Sequence, residues 1–152
     1  MLRRCITLWF PLFFWMVVIF GASTSLGSPQ HTSRFIRPFL LWLDPRMSDA
    51  SINSIHFVIR KSAHVTEYAI LGILIWRVVH YSSLFAAKGV AQHFRLALLC
   101  AALYAATDET HQIFVPGREA AVHDVLLDTC GAAAGLAVTW CVLRWRPAKK
   151  FQ

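Results

Sequence analysis

Residues 5–22 (CITLWFPLFFWMVVIFGA) run without a single charge, and a helix of that length, rising about 1.5 Å per residue, crosses most of a ~30 Å hydrocarbon core. Inside a bilayer the backbone N–H and C=O groups must be satisfied without water, so a chain with several such runs is restricted to helical bundles or closed barrels. Three further runs lie within Ala63–Tyr81, Phe94–Phe114 and Val122–Trp145, each too apolar and too long for an amphipathic surface helix. The expected fold class is therefore all-α. We expect a polytopic membrane bundle of about four transmembrane helices in one domain over residues 1–152, with an outer loop over 23–60. Composition agrees: 57% of the 152 residues are hydrophobic and 15% are charged, against about a quarter charged in soluble domains.

The first run has a competing reading. Arg3 and Arg4 precede it, and the small residues Ala22, Ser23, Thr24 and Ser25 follow, as in a cleavable signal peptide. A retained helix is the expectation, because the run is long for a signal sequence and carries Trp9, Phe13, Phe14 and Trp15. Ala86-Ala87-Lys88-Gly89 and Val115-Pro116-Gly117-Arg118 supply the loops on either side of the third span. The second loop is so short that the helices it joins must be antiparallel neighbours. Between the first two spans, Arg34-Phe-Ile-Arg37-Pro-Phe-Leu-Leu-Trp-Leu43 mixes cationic and bulky apolar residues, which fits either an interfacial helix or a partly ordered loop. Ile52, Ile55 and Val58 fall at helical spacing behind Ser48, a candidate N-cap, so the second helix is expected to begin outside the bilayer.

The formal charge of +7 is spread over loops and termini rather than gathered into one stripe, which argues against nucleic acid and for membrane topology, with anionic lipid as partner. With the N-terminus in the cytoplasm, alternation of spans places Arg3, Arg4, Arg77, Lys88, Arg95, Arg144, Arg146, Lys149 and Lys150 inside. Arg34, Arg37, Arg46, Arg60, Lys61 and Arg118 then lie outside, and both termini are cytoplasmic. Cys5, Cys100, Cys130 and Cys141 all sit inside apolar runs, without the spacing of a disulfide framework or zinc site, and read as small apolar fillers.

Three of the apolar spans carry a knot of ionisable residues at one end, and this orientation brings all three knots to the outer face. Helical spacing puts Lys61, His64, Glu67 and Tyr68 on one stripe, Asp108, His111 and Gln112 on a second, with Glu109 beside it, and Asp124 and Asp128 on a third. Gly131 and Gly135 continue the last face inward as a small-residue surface for another helix. An intramembrane charge costs about 2.5–3.5 kcal/mol on the insertion scale, so such residues usually face one another and mark a site. Lys61 and Arg118 are the expected partners of the carboxylates. Four uses compete: a salt-bridged lock on helix register, a pocket for a phosphate- or sugar-bearing head group, acid/base chemistry around His64 and His111, and a metal site from His64, Glu67, His111, Asp108 and Asp128. The metal reading is disfavoured because neither His-Glu-x-x-His nor a paired Glu-x-x-His is present, and no cofactor is expected. There is no phosphate loop and no Gly-x-Ser-x-Gly elbow, so no established catalytic signature is present.

The segments Arg60–Gly72, Tyr104–Arg118 and Asp124–Gly131 resemble the VanZ-like family through K-x-x-H-x-x-E-Y, D-E-x-H-Q-x-F-x-P-G-R and D-x-x-x-D-x-x-G. That family is named for a membrane protein linked to low-level resistance to the glycopeptide teicoplanin, and the likeness covers roughly residues 55–140. It implies a protein of about four spans in a bacterial cytoplasmic (inner) membrane. It also makes Lys61, His64, Glu67, Asp108, Glu109, Gln112, Arg118, Asp124 and Asp128 the family's signature positions. The combined expectation is an outward polar pocket acting on a cell-envelope component, either a lipid-linked wall precursor or a glycopeptide, with an effect on teicoplanin susceptibility. A membrane-embedded enzyme acting on such a lipid and a structural protein without ligand are the alternatives.

Overall fold

The computed structural model describes residues 2–118 and 121–145. Arg146, Lys149 and Lys150 of the basic tail, and the side chains of Arg4 and Cys5, lie outside what it describes. The chain forms five α-helices and two single 3₁₀ turns, with no strand among the described residues: α1 (Leu2–Ser23), α2 (Pro29–Leu43), α3 (Asp49–Tyr81), α4 (Val90–Gln112) and α5 (Val122–Trp145). The all-helical fold expected from the hydropathy pattern is the one found. Four helices, α1, α3, α4 and α5, are long and apolar enough to cross a membrane, with mean hydropathies of 1.9, 1.2, 1.2 and 1.6 over their best stretches.

The boundaries differ from expectation where local chemistry overrides hydropathy. The third span starts at Val90 instead of residue 94, because Gly89 serves as its N-cap and donates its N–H to Gln92 Oε1 at 3.2 Å. It ends at Gln112 instead of 114, where the chain unwinds into a turn completed by Gly117 at φ 79°, a left-handed conformation that favours glycine. The expected outer loop over 23–60 is largely helical. Ser28 caps α2 with Pro29 in its first turn, and Ser48 caps α3 by accepting the Ser51 N–H. At 33 residues α3 is about 50 Å long, some 20 Å more than the hydrocarbon core, so its N-terminal third continues beyond the span. On that third lies α2, held by Thr32 Oγ1 and His56 Nε2 at 2.8 Å, with Leu40 and Ile52 buried. The opposite face of α2 exposes Phe35, Phe39 and Trp42 beside Arg34 and Arg37, the pattern of an interfacial helix.

Within the bundle α1 lies antiparallel to α3 and parallel to α4. Arg77 donates to Thr7 O at 3.0 Å, Trp15 Nε1 to Glu67 O at 2.9 Å and Tyr104 OH to Met16 O at 2.7 Å. The parallel pair α3 and α5 meet backbone to backbone: Gly131 faces Val65, Gly135 faces Ala69, and Gly72 faces Ala132. Small residues also fill the interior, where Ala97, Ala101, Ala105 and Ala132 are fully buried around Tyr68, Leu71 and Ile19. Phe10, Phe13, Phe14 and Val17 of α1 point outward. Close small-residue packing with bulky residues outside is how helices associate in lipid, where burial of apolar surface gives no net gain. Cys100 is half-buried, while the thiols of Cys130 and Cys141 are free and exposed on α5. Two of the expected fillers thus face outward rather than into the core.

Candidate functional site

The C-terminal ends of α1 and α4, the middle of α3 and the N-terminal end of α5 converge at one end of the bundle, so the three polar knots meet. Lys61 Nζ of α3 pairs with Asp124 Oδ1 of α5, and His123 Nε2 lies 3.4 Å from the same oxygen. One turn further in, His64 Nδ1 is 3.6 Å from Asp128 Oδ1. Asp128 is fully buried, and among the described residues neither of its carboxylate oxygens finds a hydrogen-bond donor. Beside it Tyr68 is also fully buried, its ring 6.3 Å from that of Tyr104 and its hydroxyl without a partner.

The carboxylates of α4 are satisfied differently. Asp108 Oδ2 accepts from Ser23 Oγ of α1 at 2.7 Å and from Gln112 Nε2 at 3.1 Å, while Oδ1 has no partner. Glu109 accepts from Gln112 Nε2 at 3.4 Å through Oε1 and from the Ala121 N–H at 3.0 Å through Oε2. Its charge therefore sits at the N-terminus of α5, where the helix dipole and an otherwise unused N–H favour it.

Two cavities open here. The larger, about 380 Å³, is lined by Arg60, Lys61, His64, Gln112, His123 and Asp124 together with residues of α2 and of the α4–α5 connection. A smaller one of about 160 Å³ borders Arg60, His64, Glu67 and Arg118. His64 and Arg60 belong to both, so His64 stands at their junction.

Two expected members of the site are held differently from expectation: Arg118 borders the smaller cavity without the expected carboxylate partner, and His111 lines neither cavity. Arg118 forms no ion pair with a carboxylate among the described residues. Its Nε donates to Thr24 O at 3.3 Å and its Nη2 to Ala22 O, closing the carbonyl end of α1, which carries partial negative charge and lacks intrahelical donors. A side chain at Gly27 would block this reach, since its Cβ would lie 2.7 Å from Arg118 Nη2. Burial and the neighbouring Arg60 hold the Arg118 guanidinium below its ordinary value, and Asp108, Glu109 and Glu67 draw it back up. His111 packs its ring against that of Phe20 of α1 at a tilt of 38°, ring centroids 4.5 Å apart, and lines neither cavity. With His111 turned away, His64, Glu67, His111, Asp108 and Asp128 do not form a ligand set. Among the described residues no three His, Cys, Asp or Glu side chains are grouped to hold a metal ion.

The residues that sequence reasoning missed are Ser23, Arg60 and His123. Ser23 stood in the stretch that resembles a signal-cleavage site, and its buried bond to Asp108 ties α1 into the polar cluster. The alternation of spans put Ser23 at the same end as the knots, but no sequence signal placed α1 beside α4.

No curated protein and no solved structure matches the chain. The family model described as VanZ/LLP1 matches residues 8–144, which takes in α1 as well as the three polar motifs. The protein whose ionisable knots meet in this way at one end of a four-span bundle is thus a member of the VanZ/LLP1 family.

Proposed function

We propose that this VanZ-like membrane protein resides in a bacterial cytoplasmic membrane with its polar cavity at the outer face, where it binds the phosphate-bearing head group of a cell-envelope lipid. The observation that carries the reading is the cavity of about 380 Å³ lined by Arg60, Lys61 and His64. Its volume falls in the usual range for small-molecule sites, and clustered Lys and Arg side chains suit phosphate oxygens. A purely structural lock is the weaker account. A lock should satisfy its charged groups, yet Asp128 has no donor on either oxygen, a costly arrangement unless the group serves something other than adhesion.

Orientation rests on Arg77, Lys88, Arg95 and Arg144, which share the end of the bundle opposite the cavity and so favour that end as cytoplasmic. Reporter fusions at Lys88 and Gly117 should report opposite compartments, Lys88 inside and Gly117 outside. A cytoplasmic signal at Gly117 removes the outward site from consideration.

Family membership brings teicoplanin into the reading. Teicoplanin carries an acyl chain that can enter a membrane and vancomycin lacks one, so a site at the lipid surface should matter more for the first. Expression in a susceptible Gram-positive host is expected to raise teicoplanin tolerance by at least twofold with little change for vancomycin. The gain should vanish in Asp128→Ala at unchanged membrane abundance. Equal tolerance to both drugs would separate the cavity from glycopeptide response.

A further inference from the structure

We propose that His64 is the acid/base catalyst of this cavity, with Asp128 as its positioning residue, and that the pair hydrolyses a phosphate ester in the bound lipid head group. The proposal rests on the head-group reading above and adds chemistry to it. His64 borders both cavities, so a head group entering either one meets its ring. Nδ1 is buried without a hydrogen-bond partner among the described residues and lies 3.6 Å from Asp128 Oδ1, just beyond hydrogen-bonding distance. Asp128 in turn is fully buried without a hydrogen-bond donor on either oxygen. A carboxylate in that position gains most from the Nδ1–H of His64. A closing of the gap by about 0.5 Å would make that bond, put the proton on Nδ1 and leave the Nε2 lone pair free to act on a bound head group, the arrangement in which a buried Asp orients a catalytic imidazole.

The basic side chains around the ring suit a phosphate, and the carboxylates of Glu67, Asp124 and Asp128 lie among them. Lys61 and Arg60 stand on the same helix, Arg118 comes from the α4–α5 connection, and α5 contributes Asp124 and Asp128. Water is the nucleophile in this proposal: among the described residues the one hydroxyl lining either cavity, Thr32, is engaged with Ser28 O and His56 Nε2. The water oxygen forms a bond to phosphorus and gives its proton to His64 Nε2. The bond from phosphorus to the lipid-side oxygen breaks, and His64 returns the proton to that leaving oxygen. The step consumes one water and needs no oxidant or reductant.

The test uses the full chain reconstituted in phosphatidylethanolamine vesicles containing either a polyprenyl monophosphate or phosphatidic acid. Lipid retention by native mass spectrometry and release of inorganic phosphate are read side by side. Wild type should retain and hydrolyse at least one of the two lipids. Per lipid retained, His64→Gln should release phosphate at least about 100-fold more slowly, the usual weight of a general acid/base. In histidine-labelled protein, ¹⁵N spectra should show His64 with its proton on Nδ1. Asp128→Asn should lose that single tautomer together with most of the phosphate release, whereas a merely structural Asp128 would leave the tautomer unchanged. Retention without release from either lipid overturns the catalytic assignment and leaves the binding reading intact, and absence of retention overturns both. A proton on Nε2 of His64 in the wild-type spectrum also sinks the proposal, whether or not the Asp128 variant folds.

Discussion

Gly135→Ala is expected to abolish folded, monodisperse protein in detergent, and Gly131→Ala to reduce it strongly. A Cβ at Gly131 would lie 2.6 Å from Val65 O and 3.0 Å from Val65 Cα, and one at Gly135 would meet Ala69 O more closely still. Overpacking a core usually costs about 1–3 kcal/mol because side chains can shift rotamer. Here the obstacle is backbone, so α3 and α5 must move apart along their whole interface, and the cost should reach the top of that range or beyond. The same separation would pull Lys61 from Asp124 and His64 from Asp128, so even a surviving fraction should lose the site. Gly21→Ala and Gly89→Ala serve as controls, because a Cβ at either position meets nothing within 4 Å. Alanine favours a helix over glycine by about 1 kcal/mol, so Gly21→Ala within α1 should be neutral or slightly stabilising. Size-exclusion profiles and thermal unfolding of the purified variants decide the matter: Gly135→Ala behaving like Gly21→Ala would mean that α3 and α5 are not in contact.

Much of this geometry was readable in the chain because the bilayer imposes it. Charge-free runs of sufficient length become helices, short Pro-Gly loops make neighbours antiparallel, and residues three or four apart share a face. Those rules alone bring the three knots to one end of the bundle, turn Gly131 and Gly135 toward a helix, and offer Ser48 as the N-cap of α3, without saying which residue of one knot meets which of another. The missing parts depend on which helix lies beside which. Nothing in the local pattern shows that α1 brings Ser23 to Asp108, or that the carbonyl end of α1 takes the Arg118 side chain away from the acidic groups. His111 illustrates the limit of spacing arguments. It is one turn from Asp108, yet Phe20 of α1 gives its ring a better surface than the cavity does. The interfacial character of α2 was visible in its mixture of Arg with Phe and Trp. Its order was not, because that depends on Leu40, Thr32 and His56 finding the projecting third of α3.

Lys61→Ala is expected to lower stability by about 3 kcal/mol, the lower end for breaking a buried ion pair, because both partners keep some contact with water: 24% of the Lys61 side chain and 14% of that of Asp124 remain exposed. The loss is mostly the cost of leaving Asp124 without its counter-charge at the mouth of the span. Removing both members should therefore cost less than the sum of the single changes. The coupling in the Lys61/Asp124 double-mutant cycle is expected to be about 1–3 kcal/mol. Glu67 lines the smaller cavity with Arg118, Asp108 takes its hydrogen bonds from Ser23 and Gln112, and Asp128 faces His64, so cycles of Lys61 with these three should approach additivity. Thermal unfolding in one detergent gives all four cycles on a common scale. Additivity with Asp124 as well would show that Lys61 is merely solvated, and coupling to Asp128 instead would move the lysine one turn deeper, into the place assigned here to His64.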